Sequence, residues 1–159
     1  MNRTLQLLSI AVVGVSALAT SQAQQATENV TKDVALKSIS TFRDDPLSER
    51  GHVAATIIVR FARESPDVQV TAGKLFLPWM DTQPIPPESS TLLAAYIAGS
   101  VRSQLENSKT KNDPLAGEEQ VIETYHQLQQ AKPGLHIDAV EKLIELKKQG
   151  KLKDYLDSK

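Results

Sequence analysis

Three histidines, His52, His126 and His136, are the residues of this chain best suited to acid–base or metal chemistry, and their spacing supports neither. There is no H-E-x-x-H or H-x-x-x-H pair, and no acid stands beside them at a recurring ligand spacing, so no metal site is expected. His126 follows Tyr125, while His136 precedes the next helical segment, and nothing in the sequence requires the two to meet. A serine nucleophile needs a strained placement and a base. The only Gly-Ser pair, Gly99-Ser100, sits inside a segment that reads as regular helix, where a hydroxyl commonly bonds back to the chain. There is no G-x-S-x-G and no phosphate-cradling glycine loop. Acids are plentiful, but Glu118, Glu119 and Glu123, and then Glu141 and Glu145, have the spacing of solvated helix faces beside Lys142 and Lys147. A carboxylate pair for hydrolysing an envelope polymer would have to be assembled from distant parts of the chain. Cysteine is absent, which excludes thiolate nucleophiles, disulfides, cysteine-ligated zinc, iron–sulfur clusters and a lipid-modified cysteine. No catalytic residue and no cofactor is predicted.

The most unusual local feature is Leu75-Phe76-Leu77-Pro78-Trp79-Met80, which leads into Gln83-Pro84-Ile85-Pro86-Pro87. It gathers the only tryptophan and the only methionine besides Met1 among four prolines. A rigid apolar loop of this kind suits the anchoring of a partner protein, and Phe76, Trp79 and Met80 are the candidate binding residues. The competing expectation is that Phe76 and Trp79 fold back to cap a core poor in aromatics. The Asn29-Val30-Thr31 sequon is read as incidental.

Around these residues the chain has a clear order. A short basic start, Met1 to Thr4 with Arg3, precedes an uncharged apolar run from Leu5 to Ala19. At roughly 15 residues this run is short for a membrane span, which needs about 20. Ser21 and Ala23 fit the small-residue rule before a cut, so residues 1–23 read as a signal peptide cleaved between Ala23 and Gln24, with Ala19 as the nearby alternative. An uncleaved signal anchor is the competing reading. Residues 24–30 form a polar tail expected to be disordered. Nothing later is long and apolar enough to cross a bilayer, so no stable membrane insertion is expected after cleavage, and the mature chain is expected to be periplasmic or secreted.

Residues 31–159 read as one helical domain. Val34, Ala35, Ile39 and Phe42 recur at spacings of three and four, and Asp45-Pro46 ends that helix. From Leu47 to Glu64 the stripe Val53, Ala54, Ile57, Ile58, Phe61, Ala62 repeats as i, i+1, i+4, i+5, with Asp45 or Ser48 as cap. Its β-branched content also suits a strand, but Arg60, Arg63 and its length favour helix. Residues 65–88 are the least helical part: Val68-Gln69-Val70 alternates like a short strand, and prolines keep the rest extended. The clearest helix follows, capped by Ser89 or Ser90, with Leu92, Leu93, Tyr96, Ile97, Val101 and Leu105 in one stripe. Its Ala94, Ala95, Ala98 and Gly99 allow a neighbouring backbone to come close. Asp113-Pro114 starts the next helix, Asp138 another, and Leu152, Tyr155 and Leu156 a last short turn. Two helix ends followed by proline resemble helix-pair repeats such as the tetratricopeptide family, but that family's Trp-Leu-Gly-Tyr spacing is absent and no period holds.

The class is therefore all-α: an irregular bundle of about five to six short helices with one long proline-rich loop. A net charge of -1 with interspersed signs gives no reason to expect nucleic acid as a partner. The expected role is a non-catalytic exported domain acting by contact with another exported protein. A carrier of a small apolar ligand is the second reading, and an envelope-polymer hydrolase the third.

Overall fold

Three of the described helices start on a short polar side chain. Thr31 Oγ1 accepts from the Val34 N–H at 3.3 Å and opens α1 (Lys32–Asp44). Ser48 Oγ accepts from the Gly51 N–H at 3.0 Å and opens α2 (Glu49–Glu64), while Asp45 instead accepts from the Ser48 N–H. Asp113 does the same for α4 (Pro114–Ala131), with Pro114 in the first turn. In α3 (Ser89–Glu106) neither expected serine caps: Glu88 occupies the N-cap position and makes no side-chain cap bond. Its carboxylate is taken by Lys132, at 2.8 Å, at the far end of α4. The helices α5 (Asp138–Lys148) and α6 (Leu152–Asp157) complete the order, and Pro78–Asp81 forms a 3-10 turn in the long loop.

The computed structural model describes residues 29–73 and 76–158. The leader, its cleavage site and residues 24–28 of the polar tail lie outside the described residues, as does Leu75. At the end of that tail, Val30 packs against the core. The described residues contain six α-helices and no strand, so the all-α multi-helix bundle is what is observed.

Residues 68–70 depart from the strand-like reading. The backbone of Gln69 meets a side chain rather than another strand: its N–H donates to Gln104 Oε1 (2.9 Å) and its C=O accepts from Gln104 Nε2 (3.1 Å). One buried amide on α3 thus satisfies both groups that a sheet neighbour would have satisfied.

α1 and α2 form a hairpin whose inner faces, Ala35, Ile39 and Phe42 with Ala54, Ile58 and Phe61, pack toward α3. α3 and α4 make the most extensive helix contact, and α5 and α6 close the far side of α4. The small stripe expected on α3 is used at that contact. A Cβ on Gly99 would sit 2.2 Å from the Ala116 carbonyl oxygen, and one on Gly117 2.7 Å from the Tyr96 ring. Each glycine lets the other helix approach where any side chain would push it off.

The Gly99→Ala variant should therefore lose about 1–3 kcal/mol, the usual cost of overpacking. Gly73, where a Cβ meets nothing within 4 Å, provides the control. Urea denaturation should show a lower midpoint for Gly99→Ala and an unchanged one for Gly73→Ala. Equal midpoints for both would contradict the close packing of α3 on α4.

Candidate functional site

The three loop residues singled out from the sequence fall in different environments. Trp79 is fully buried, and its Nε1 makes no hydrogen bond among the described residues. Phe76 is half-buried and stacks on Tyr96, with ring centroids 6.4 Å apart and planes at 19°. Met80 is also half-buried against the core. The loop is tied down along its length: the Tyr96 hydroxyl donates to the Thr71 carbonyl (3.2 Å), and Thr82 Oγ1 donates to the Trp79 carbonyl (2.8 Å). A partner can reach Phe76 and Met80 from outside, but it reaches Trp79 only if the loop moves.

The histidines stay apart in their contacts. His52 is exposed on α2. His126 Nδ1 lies 3.4 Å from Gln129 Oε1, and His136 Nε2 lies 2.7 Å from Asp138 Oδ1. Among the described residues no group of three His, Asp or Glu side chains is placed to hold a metal ion. Ser100 does not simply bond back along its helix. Its hydroxyl donates to Asn112 Oδ1 (3.0 Å) and accepts from the Asp113 N–H (3.2 Å), which secures the turn between α3 and α4.

An apolar concavity lies elsewhere, in the outer valley of the α1–α2 hairpin. It encloses about 490 Å³ between Val34, Lys37 and Ser38 on one side and Arg50, Val53 and Ile57 on the other. Val53 and Val34 are 57% and 44% exposed, among the most exposed large apolar side chains of the described residues. The sequence carries the reason. An i, i+1, i+4, i+5 stripe holds two columns of apolar residues, and α3 needs only one. The column Ala54, Ile58 and Phe61 goes to the core, and the column Val53 and Ile57 lines the groove. Lys37 and Arg50 stand at the rim, and among the described residues neither makes an ion pair; Glu49 adds one acid.

A second unusual group was misplaced by spacing alone. Glu118, expected on a solvated face, is fully buried, and among the described residues neither carboxylate oxygen has a hydrogen-bond partner. Glu119 and Glu123 do reach the surface and pair with Lys147 and Arg43. The three glutamates are separated by rotation: one residue around the helix is 100°, enough to carry Glu118 onto the buried side. Burial alone pushes its carboxyl up from 4.5 to about 8.

Among the described residues no helix is long and apolar enough to cross a membrane. Comparison with models of protein families, with curated proteins and with solved structures finds no match.

The Glu118 shift has a definite sign. Its folded value lies above its unfolded one, so the folded state holds the proton more tightly. The contribution of Glu118 to stability is greatest below pH 4.5 and falls as pH rises toward about 8, by about 1.4 kcal/mol per unit. Glu118→Gln keeps the shape and removes the titration. In urea denaturation the native protein should lose on the order of 3 kcal/mol more than this variant between pH 5 and 7.5. Parallel pH profiles would show that the carboxyl does not titrate in the folded state.

Proposed function

We propose that this is an exported, non-catalytic helical domain that acts by protein contact, and that the α1–α2 groove receives an amphipathic helix of its partner. The observation that carries the reading is the exposure of Val34 and Val53 along one continuous groove, on a hairpin whose other side is fully packed. A valley between two helices has the width and direction to accept a third, as in helix-in-groove recognition. Two rim cations that pair with no acid among the described residues, against one glutamate, favour an occupant whose apolar stripe is bordered by acids. The basic-then-apolar leader supports export, which places the partner in the same compartment.

Magnitudes limit the contact. Covering Val34, Val53 and Ile57 contributes no more than about 1.5–3 kcal/mol each before association is offset. The complex should therefore be weak and transient, with the rim charges setting orientation and encounter rate. Phe76 and Met80 could extend the contact only on another part of the surface.

A small apolar ligand is the alternative occupant, favoured by one observation: about 490 Å³ falls within the range of ligand sites. Native mass spectrometry of protein from its own host separates the two, because a retained small-molecule mass would support the carrier.

The test of the protein-contact reading is a photo-crosslinking residue placed at Val53 or, as a control, at the exposed Thr56 one turn away. Val53 should give a discrete crosslinked species in the exporting cell, and Thr56 should not. Adding Lys37→Glu and Arg50→Glu should reduce that species about tenfold or more, without lowering the melting temperature. Identical patterns at both positions, or no effect of charge reversal, would rule the groove out.

A further inference from the structure

We infer that Glu118 is a proton-sensitive latch for the C-terminal helices: while the carboxyl is neutral α5 and α6 close over α4, and when it ionises they are driven off.

The geometry begins with the position of Glu118 on its helix. Tyr125 stands two turns further along the same face of α4, and that face receives the start of α5. The Ile137 N–H donates to the Tyr125 hydroxyl (2.9 Å), which in turn donates to Glu141 Oε1 (2.8 Å). From this point α5 runs back along α4, because Lys147, near its other end, pairs with Glu119 at 3.4 Å. Glu118, the residue before Glu119, therefore lies at the level of the end of α5, and α6, which follows, also packs on α4. The covering elements contribute apolar side chains: Leu143 and Ile144 from α5, Leu152 and Leu156 from α6.

Nothing in this shell suits a charge. From α3 the titratable neighbour is Tyr96, itself raised to about 12 by burial. From α5 it is Lys147, already held by Glu119, and from α6 it is Tyr155, whose ring lies under Lys142. Ionised Glu118 helps to raise Tyr96, and the Glu118 carboxyl itself is raised by burial. A neutral carboxyl is tolerated there; a carboxylate without a hydrogen-bond donor needs water. The shortest route to water is to lift the thinnest cover, and α6 is the shortest α-helix, joined to α5 by the three residues Gln149, Gly150 and Lys151. Opening exposes Leu143, Ile144, Leu152 and Leu156 together, so an apolar surface is uncovered with loss of a proton.

The sign follows from the two states. In the closed state the carboxyl keeps its proton to about pH 8, and in the open state it releases it near 4.5. The opening constant rises about tenfold per pH unit between these limits and is flat above them. Hydrogen exchange of the full chain, expressed as protection factors so that intrinsic base catalysis cancels, reads this directly. Between pH 5.5 and 7.5 protection in α5 and α6 should fall about a hundredfold while staying well below that of the best-protected amides of α2 and α3, which follow the global unfolding read in urea. In Glu118→Gln the fall should vanish. Glu118→Leu, which needs no hydrogen bond, gives the same reading should the amide fold poorly. Protection in α5 and α6 equal to that in α2 and α3 at every pH would overturn the latch in favour of global unfolding. A fall that persists in both variants would overturn the role of Glu118.

Discussion

The approach of α3 to α4 through two glycines is the constraint on which the rest of this structure depends. Gly99 faces the backbone of Ala116, and Gly117 faces the ring and backbone of Tyr96. Because the backbones meet, short side chains at the turn can bridge them. Ser103 donates to Asp113 at 2.7 Å, and Ser100 bonds both Asn112 and the Asp113 N–H. Asp113 is at the same time the cap of α4, so the turn, the cap and the interhelix contact are one assembly. Tyr96 carries the constraint outward. With its ring laid across Gly117, its hydroxyl accepts from Asn112 and donates to Thr71, and its face stacks on Phe76. The long loop is thus held by the helix pair rather than by regular structure of its own.

This explains why a loop of that length and composition packs. A buried segment without secondary structure must find partners for its backbone. Here Gln104 supplies both for Gln69, Tyr96 supplies one for Thr71, and Glu88 fixes the loop's end to Lys132. That last ion pair holds the Glu88 carboxyl below the usual carboxylate range, chiefly through the Lys132 hydrogen bond. The apolar side chains Val68, Leu77 and Trp79 then fill space that the sparse aromatics of the helices leave open. The residues that made the loop look like an exposed anchor are the same ones a helical core of small aliphatics would recruit.

Much of this was legible in the residues. The spacing of Val34, Ile39 and Phe42, the stripe from Leu92 to Leu105, and Asp113-Pro114 each mark an element at its observed place. Gly99 and its alanines announced a close neighbour. Three features were not legible, each for a physical reason. The strand-like alternation at Val68-Gln69-Val70 is real, but hydrogen bonding decides its outcome, and its partner is a side chain 35 residues away. Ser89 has a capping residue's chemistry but lies inside the first turn, where its hydroxyl is buried. Glu118 sits in a run of acids that reads as solvent-facing, and only the rotation of α4 against three neighbours puts it inside. The groove was half legible: the doubled apolar column on α2 was visible, but which column α3 would cover was not.

The two unusual regions lie at opposite edges of the α3–α4 pair, and they are unusual in opposite ways. At the α1–α2 edge, apolar side chains stand in water although they could be covered at little cost. At the α5–α6 edge, a carboxyl is kept from water although its charged form would be far better hydrated. Ordinary folding pressure would remove both, since a polar residue at Val53 or an apolar one at Glu118 would suit each environment better. Neither defect is needed to hold the α3–α4 contact, which is satisfied by glycines, serines and Tyr96 without them. Features that cost stability and serve no packing purpose are where function is most economically sought. On that argument the hairpin groove and the buried carboxyl are the informative residues of this chain, and the well-packed centre is the frame that keeps them apart.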